Sequence, residues 1–275
     1  MIIGITGSSG VLGKAIIKEF FKLKKIHIIK FRKDVLDRKS VKNWIISNNF
    51  DVIIHLAAIV STKQFNNSSK YSEKVNYEGT KNIVDNIKYS KKKILLFFSS
   101  TSHVYKKSFH KINEKSIVRP INNYGLSKFK AENYIKKNKK NYDFCIARIF
   151  SYTALSQSKD FFIPSIVNRI KKTKNIFLVD FRNEYRDFIH IGDIVSMIKT
   201  LIIKKKNGTY NICSGYRTSI YDIVKKITFK LKKKYTFDIK DEKLKGLLGC
   251  NKKIKTIYKR KFRNIDFIIN EYLNR

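Results

Sequence analysis

The sequence predicts an α/β fold, a doubly wound parallel sheet over about the first 150 residues followed by a smaller C-terminal lobe. Three observations predict it. Short apolar runs alternate with amphipathic stretches as far as residue 150, and strand–helix alternation builds a parallel sheet covered on both faces. The run over 52–57 has no polar residue before His55, as expected of a strand buried on both faces. Four of the eleven glycines fall in the first thirteen residues, where the first apolar run gives way to the first amphipathic one.

The elements follow in order. Residues 2–6 read as a strand, and 11–23 as a helix with Leu12, Ile16, Phe20 and Leu23 on one face. A second strand covers 26–31. Ser40 is placed to cap a helix carrying Val41, Trp44 and Ile45. The strand at 52–57 leads to a helix around 72–89, a buried strand over 94–98, a long helix beginning near Tyr124 and a strand over 144–149. Beyond Phe150 the pattern loosens. Helices are expected over 161–172, over 193–203 with Asp193 at its N-cap, and from Ser219 through Phe229. Residues 1–150, with a segment returning at about 187–205, form the first domain. Residues 151–186 and 206–275 form the lobe.

Charge and cysteine content bound the function. The 275 residues hold 60 Lys plus Arg against 21 Asp plus Glu, a formal net charge of +39. Lys is spread along the whole chain, with abundant Ile and Asn and two Pro, a bias that A/T-rich codons produce. Nucleic acid is therefore disfavoured as the primary partner, although the charge helps draw in an anionic ligand. No apolar run approaches the ~18 residues of a membrane span, and the first residues carry neither the basic nor the apolar region of a secretory signal. Cys145, Cys213 and Cys250 are odd in number and far apart. That pattern argues against a disulfide framework or a bound metal and for a reducing, cytoplasmic setting.

Gly7, Gly10 and Gly13 lie three apart between the predicted strand and helix. Gly7 and Gly10 let the backbone turn sharply and approach a pyrophosphate, and Gly13 lets helix and strand pack closely. The helix N-terminus beyond them offers free N–H groups and a positive dipole end. Gly7, Ser9, Gly10, Val11, Leu12 and Gly13 are thus candidate cofactor contacts.

Further motifs are His55-Leu56-Ala57-Ala58, Asn76-Tyr77-Glu78-Gly79-Thr80, Ser99-Ser100-Thr101, Tyr124-Gly125-Leu126-Ser127-Lys128 and Arg186-Asp187-Phe188-Ile189-His190. With Thr6-Gly7-Ser8-Ser9-Gly10-Val11-Leu12-Gly13 they span nearly the whole chain. Together they resemble the extended short-chain dehydrogenase/reductase family, the nucleotide-sugar epimerases, dehydratases and reductases. The resemblance implies a Rossmann-type sheet, a nicotinamide cofactor touching Leu56, Ala57, Ala58 and Ser99, a nucleotide-sugar substrate, and a homodimer. It also sets Asp34 and Val35 in the segment against the adenine. The second strand ends Ile29-Lys30-Phe31-Arg32-Lys33, with no carboxylate to hold the ribose hydroxyls of NAD. Cations there favour the extra phosphate of NADP(H), with NAD(H) as the alternative. Arg32 is the best-suited of them, because its fork matches phosphate.

Tyr and Lys four residues apart share a helix face, and the chain has four such pairs, beginning at Tyr77, Tyr89, Tyr124 and Tyr221. Context selects Tyr124 and Lys128. Tyr124 opens a helix some twenty residues after a buried strand that ends in Ser99, Ser100 and Thr101, and strand C-termini form the ligand crevice of such sheets. Hydride transfer at a C–O carbon must be matched by proton transfer at the oxygen. Tyr124 is assigned that proton, Thr101 the positioning of the oxygen, and Lys128 the lowering of the phenol pKa. By the resemblance, Lys128 also holds the nicotinamide ribose.

Where the family's dehydratases carry an Asp-Glu pair, this chain has Ser102 and His103, so dehydration is not expected. Arg186 resembles the family's contact to the substrate diphosphate, with an ion pair to Asp187 or Asp193 as the competing role. Asp187 and His190 are read as fixing the lobe. Arg148-Ile149-Phe150 is followed by Ser151, and the family's Gly-Pro is missing. Ser100, Thr101, His103, Ser151, Arg186 and Arg217 make up the candidate substrate contacts. The expected activity is NADPH-dependent reduction of a nucleotide-linked 4-keto-6-deoxy sugar. It rests on the missing strand-2 acid, the missing dehydratase pair and a chain short for an epimerase. An NAD-dependent 4-epimerase is the alternative, and a non-catalytic RNA-binding protein on this scaffold the remote one.

Overall fold

The computed structural model describes residues 1–60, 69–172, 175–178, 184–237 and 245–274. The first half runs β1 (Ile2–Thr6), α1 (Val11–Phe20), β2 (His27–Lys30), α2 (Arg38–Ile46), β3 (Val52–His55), α3 (Ser69–Ile87), β4 (Ile94–Thr101), α4 (Asn123–Lys137) and β5 (Tyr142–Ile149). Then come β6 (Ser151–Thr153), α5 (Phe162–Lys172), β7 (Asn175–Leu178), β8 (Glu184–Arg186), β9 (Phe188–His190), α6 (Ile191–Ile203) and β10 (Gly208–Ile212). The chain continues through β11 (Thr218–Ser219), α7 (Ile220–Lys230), β12 (Lys234–Phe237), β13 (Lys245–Leu247), α8 (Lys252–Lys255) and α9 (Ile265–Leu273).

Six strands form one sheet in the order β10-β5-β4-β3-β1-β2, and every neighbouring pair is parallel. The unbroken apolar runs have a simple cause. Successive side chains point to opposite faces, and both faces are dry. Ile3, Ile54 and Phe97 pack with α1 and α6 on one side. Ile53, Leu96 and Phe98 pack with α2, α3 and α4 on the other. The strand order reverses between β1 and β3, which opens a crevice at the strands' C-terminal ends.

The lobe has its own core, where Ile166 and Ile170 of α5 meet Ile223 and Ile227 of α7 and Ile268 and Ile269 of α9. The returning segment is longer than the sequence suggests. β10 lies beside β5 as the sixth strand, and Ile254 and Tyr258 pack on the same side of the sheet as α6. The chain thus rejoins the first domain through β10, within the stretch assigned to the lobe. As an edge strand, β10 carries no long apolar run to announce it.

Two helix starts also differ from expectation. Asp37, not Ser40, caps α2, because its carboxylate accepts both the Ser40 amide at 3.0 Å and the Ser40 hydroxyl at 2.5 Å. His190 caps α6 by accepting the Gly192 N–H at 3.0 Å. Asp193 sits inside the first turn and binds the Arg263 backbone N–H and guanidinium.

Candidate active site

The crevice begins at the β1–α1 turn. Gly7 adopts φ +68°, and a Cβ there would lie 2.6 Å from the Ala57 nitrogen. A Cβ on Gly13 would lie 2.3 Å from the Gly7 carbonyl oxygen. The tight turn against β3 and the close approach of α1 therefore both require glycine. Gly10 caps α1, and Gly10, Val11, Leu12 and Gly13 line the crevice. A glycine cradle at a helix N-terminus fits a pyrophosphate.

The switch point is braced from behind. His55 Nδ1 lies 2.7 Å from the Thr6 hydroxyl, and its Nε2 lies 3.1 Å from the Thr80 hydroxyl. Thr80 donates its own proton to the Asn76 carbonyl, so His55 carries its proton on Nε2. Burial and the nearby Lys128 hold His55 neutral, with its pKa pulled down to about 3. Asn76 ties the Ile59 N–H and carbonyl to the Ser127 hydroxyl of α4. The Asn76 motif was visible in the sequence, but its bracing role was not assigned there.

Two cavities adjoin the turn. The larger, about 790 Å³, is lined by Gly7, Ser9 and Ala57, by Lys14 and Lys18 of α1, by Lys30 at the end of β2, and by Arg32, Lys33, Asp34 and Val35 beyond it. Arg32 and Lys33 thus face a groove that continues from the phosphate turn. Lys14 and Lys18, one turn apart on α1, join them and were missed as site residues. One Asp34 carboxylate oxygen accepts the Leu36 N–H at 2.9 Å, and Val35 packs against Gly79.

The second cavity, about 320 Å³, brings Gly10, Val11, Leu12, Gly13, Leu56 and Ala58 together with Ser99, Ser100, Thr101, His103, Tyr124, Ser151 and Arg186. Tyr124 stands at the start of α4, where Asn122 caps the helix by accepting the Gly125 N–H at 2.8 Å. Thr101 ends β4 and accepts the His103 N–H at 3.2 Å. Its hydroxyl is the hydrogen-bond partner of the Tyr124 phenol and opposes the effect of burial on it. Burial is the larger effect and pushes the Tyr124 phenol well above its usual range. The expected downward pull by Lys128 does not decide this phenol; burial does.

Lys128 is buried, with Nζ 4.3 Å from the centre of the Phe98 ring. Desolvation, only partly opposed by Glu132, pulls it down to about 7. His103 packs edge-on against Tyr124 with ring centres 5.9 Å apart. Burial, with Arg186 adding to it, lowers its pKa to about 4, so it is a neutral lining group.

The remaining substrate candidates divide. The Arg186 guanidinium lies 5.2 Å from the Phe162 ring centre at the cavity wall. Both competing carboxylates are committed elsewhere: Asp193 to Arg263, and Asp187 to the Ser214 hydroxyl and the Ser214, Gly215 and Gly249 amides. Ser100 reaches the cavity wall, but its hydroxyl donates to Glu132 at 2.5 Å. Arg217 is not brought to the cavity with Arg186. It lies 4.5 Å over the Tyr185 ring and donates to the Phe109 carbonyl at 3.0 Å. The cavity also gains Tyr152, Gln157 and Phe162, which no motif announced.

The profile of the NAD dependent epimerase/dehydratase family matches residues 3–213. The chain belongs to this family. It is an NAD(P)-dependent enzyme. It is 30% identical over 233 residues to GDP-6-deoxy-D-talose 4-dehydrogenase of Aggregatibacter actinomycetemcomitans, covering 81% of this chain and 78% of that one. It is 31% identical over 239 residues to UDP-glucose 4-epimerase of Mycoplasma genitalium, covering 75% and 69%. Its fold matches that of RMD from Pseudomonas aeruginosa complexed with NADPH, with a TM-score of 0.85 at 21% identity over 100% of this chain and 99% of that one. Among the described residues, no helix is long and apolar enough to cross a membrane.

Proposed function

We propose that this enzyme is an NADPH-dependent reductase of a nucleotide-linked 4-keto-6-deoxy sugar. The observation that carries the reading is the protonated Tyr124 phenol beside Thr101, in a cavity running from the glycine turn to Arg186. The relative named for a 6-deoxy sugar oxidised at C4 supports the substrate class. NADPH supplies the hydride when bound. Tyr124 gives its proton to the oxygen of the reduced carbon, Thr101 orients that oxygen, and Lys128, one turn away on α4, stabilises the phenolate that remains. Arg186 faces the diphosphate. Arg32, with Lys14 and Lys33, faces the cofactor's extra phosphate. The epimerase relative favours a second reading, a 4-epimerase on tightly held NAD.

Paired NADPH and NADH titrations, on protein first checked for cofactor carried through purification, test the proposal. The expected result is tight NADPH and weaker NADH on initially empty protein. Arg32→Gln should then lose about tenfold in NADPH affinity, about 1.4 kcal/mol, with NADH unchanged. Retained NAD would put the epimerase first, and an Arg32→Gln protein that binds NADPH normally would remove Arg32 from the site.

A further inference from the structure

The active-site cavity contains a second phenol. Tyr152 lies in β6, three residues beyond Ile149, and Ile149 pairs with Thr101 across β4 and β5. The chain therefore delivers Tyr152 to the same strand ends as Thr101, and Tyr152 lines the cavity with Thr101, Tyr124 and Arg186.

Its setting is built. The buried Gln157 side chain accepts the Ala154 N–H at 3.1 Å and donates to the Tyr152 carbonyl at 3.3 Å, closing the turn after β6. β6 is itself paired with β9, with Tyr152 opposite Ile189. Burial is the larger influence on the Tyr152 phenol and raises its pKa, with the Gln157 side chain opposing it. Tyr152 lies close enough to Tyr124 to raise its pKa further. A phenol on a braced turn in the wall of a substrate cavity can donate and accept a hydrogen bond, and is a recognition group.

We propose that Tyr152, on the turn that Gln157 closes, donates a hydrogen bond to the sugar hydroxyl next to the carbon reduced beside Tyr124 and Thr101, and so selects substrates that carry that hydroxyl. This inference rests on the reductase reading. In a 4-keto sugar the carbons flanking the carbonyl lie a single bond away, and C3 carries an oxygen whereas C5 carries the ring oxygen and the 6-methyl branch. One phenol then serves the reacting oxygen and the other serves its neighbour. A site that buries a donor for a substrate hydroxyl discriminates against the analogue lacking it, because the donor is left unpaired.

The test uses the GDP- and dTDP-linked 4-keto-6-deoxyhexoses and their 3-deoxy counterparts, with wild type and Tyr152→Phe. Wild type should prefer the 3-hydroxylated sugar by at least about tenfold in kcat/KM. Tyr152→Phe should raise KM for that sugar by about tenfold, leave its KM for the 3-deoxy sugar nearly unchanged, and bring the preference close to one. NADPH binding by the variant should match wild type, which separates a lost contact from a misfolded protein. A variant that keeps the preference overturns the role of Tyr152 alone. A wild type that turns over both sugars equally overturns it without any variant. A wild type that reduces none of these sugars overturns the reductase reading, and the inference falls with it.

Discussion

Lys128 and Glu132 sit one turn apart on α4, and both are buried. Their surroundings differ in kind. Burial alone would push the Glu132 carboxyl up. The Arg148 guanidinium, bonded to it at 2.6 and 2.9 Å, outweighs burial with help from Lys136 and Ser100, and holds the carboxyl below its usual range. Arg148 is completed by the Tyr105 hydroxyl at 2.7 Å, which in turn donates to Asn211 at 2.8 Å. Lys128 sets its Nζ over the Phe98 ring, and burial takes its pKa down to about 7. One turn of helix thus separates a matched charge that joins β4, β5 and α4 from a poorly matched one that shares α4 with Tyr124. A buried charge that is matched contributes to structure, and one left unmatched is held ready for a ligand.

Variants on the two sides of this contrast should fail in different ways. On the cavity side, Tyr124→Phe should lower kcat by about 10²–10⁴-fold, the usual weight of general acid catalysis. It should leave the urea midpoint and NADPH affinity nearly unchanged, and retained turnover would end the assignment of Tyr124. On the structural side, Glu132→Gln removes one partner of a buried pair. It should cost about 3–5 kcal/mol in a denaturant titration, with cofactor affinity of the folded fraction preserved. A loss below about 1 kcal/mol would mean that Arg148 finds another partner and that the pair is not what joins these elements. Replacing both partners, Glu132→Leu with Arg148→Met, should recover most of the loss, because the expense lies in the stranded charge rather than in the missing bond. A double variant no more stable than Glu132→Gln would show that Tyr105 and Ser100 depend on the ions.

The same contrast explains what could be read from the sequence. β1, β3 and β4 were legible because both sheet faces are dry, which leaves uninterrupted runs such as Ile94-Leu95-Leu96-Phe97-Phe98. The glycine turn was legible because close backbone contact admits only glycine at positions 7 and 13. Tyr124 and Lys128 were legible by context, since their spacing recurs by chance in so lysine-rich a chain. Tyr152 and Gln157 were not legible, because their place depends on β6 pairing with β9 across some 37 residues of chain and no local pattern encodes that. The bond from Ser100 to Glu132 was not legible, because Glu132 lies 32 residues away on α4. β10 was placed in the wrong domain because an edge strand needs no long apolar run.

The pH dependence of Lys128→Met tests the contrast most directly. A lysine keeps its proton to about 10.5 in the unfolded chain and only to about 7 in this fold. Below pH 7 both states are protonated, and the whole cost of burying the charge falls on the native state. Between 7 and 10.5 the unfolded chain binds the extra proton, so the native state of the wild type gains stability as pH rises. Above 10.5 the cost is gone. Methionine has similar length and no charge at any pH. Lys128→Met should therefore be more stable than wild type below pH 7, with an advantage that shrinks through the 7–10.5 window and vanishes above it, while turnover is lost throughout. Urea midpoints of the two proteins measured across that range would show it. An advantage that stays flat with pH, or no advantage at pH 6, would mean that the Lys128 charge is as well matched as that of Arg148, and α4 would then hold no reserve of unmatched charge.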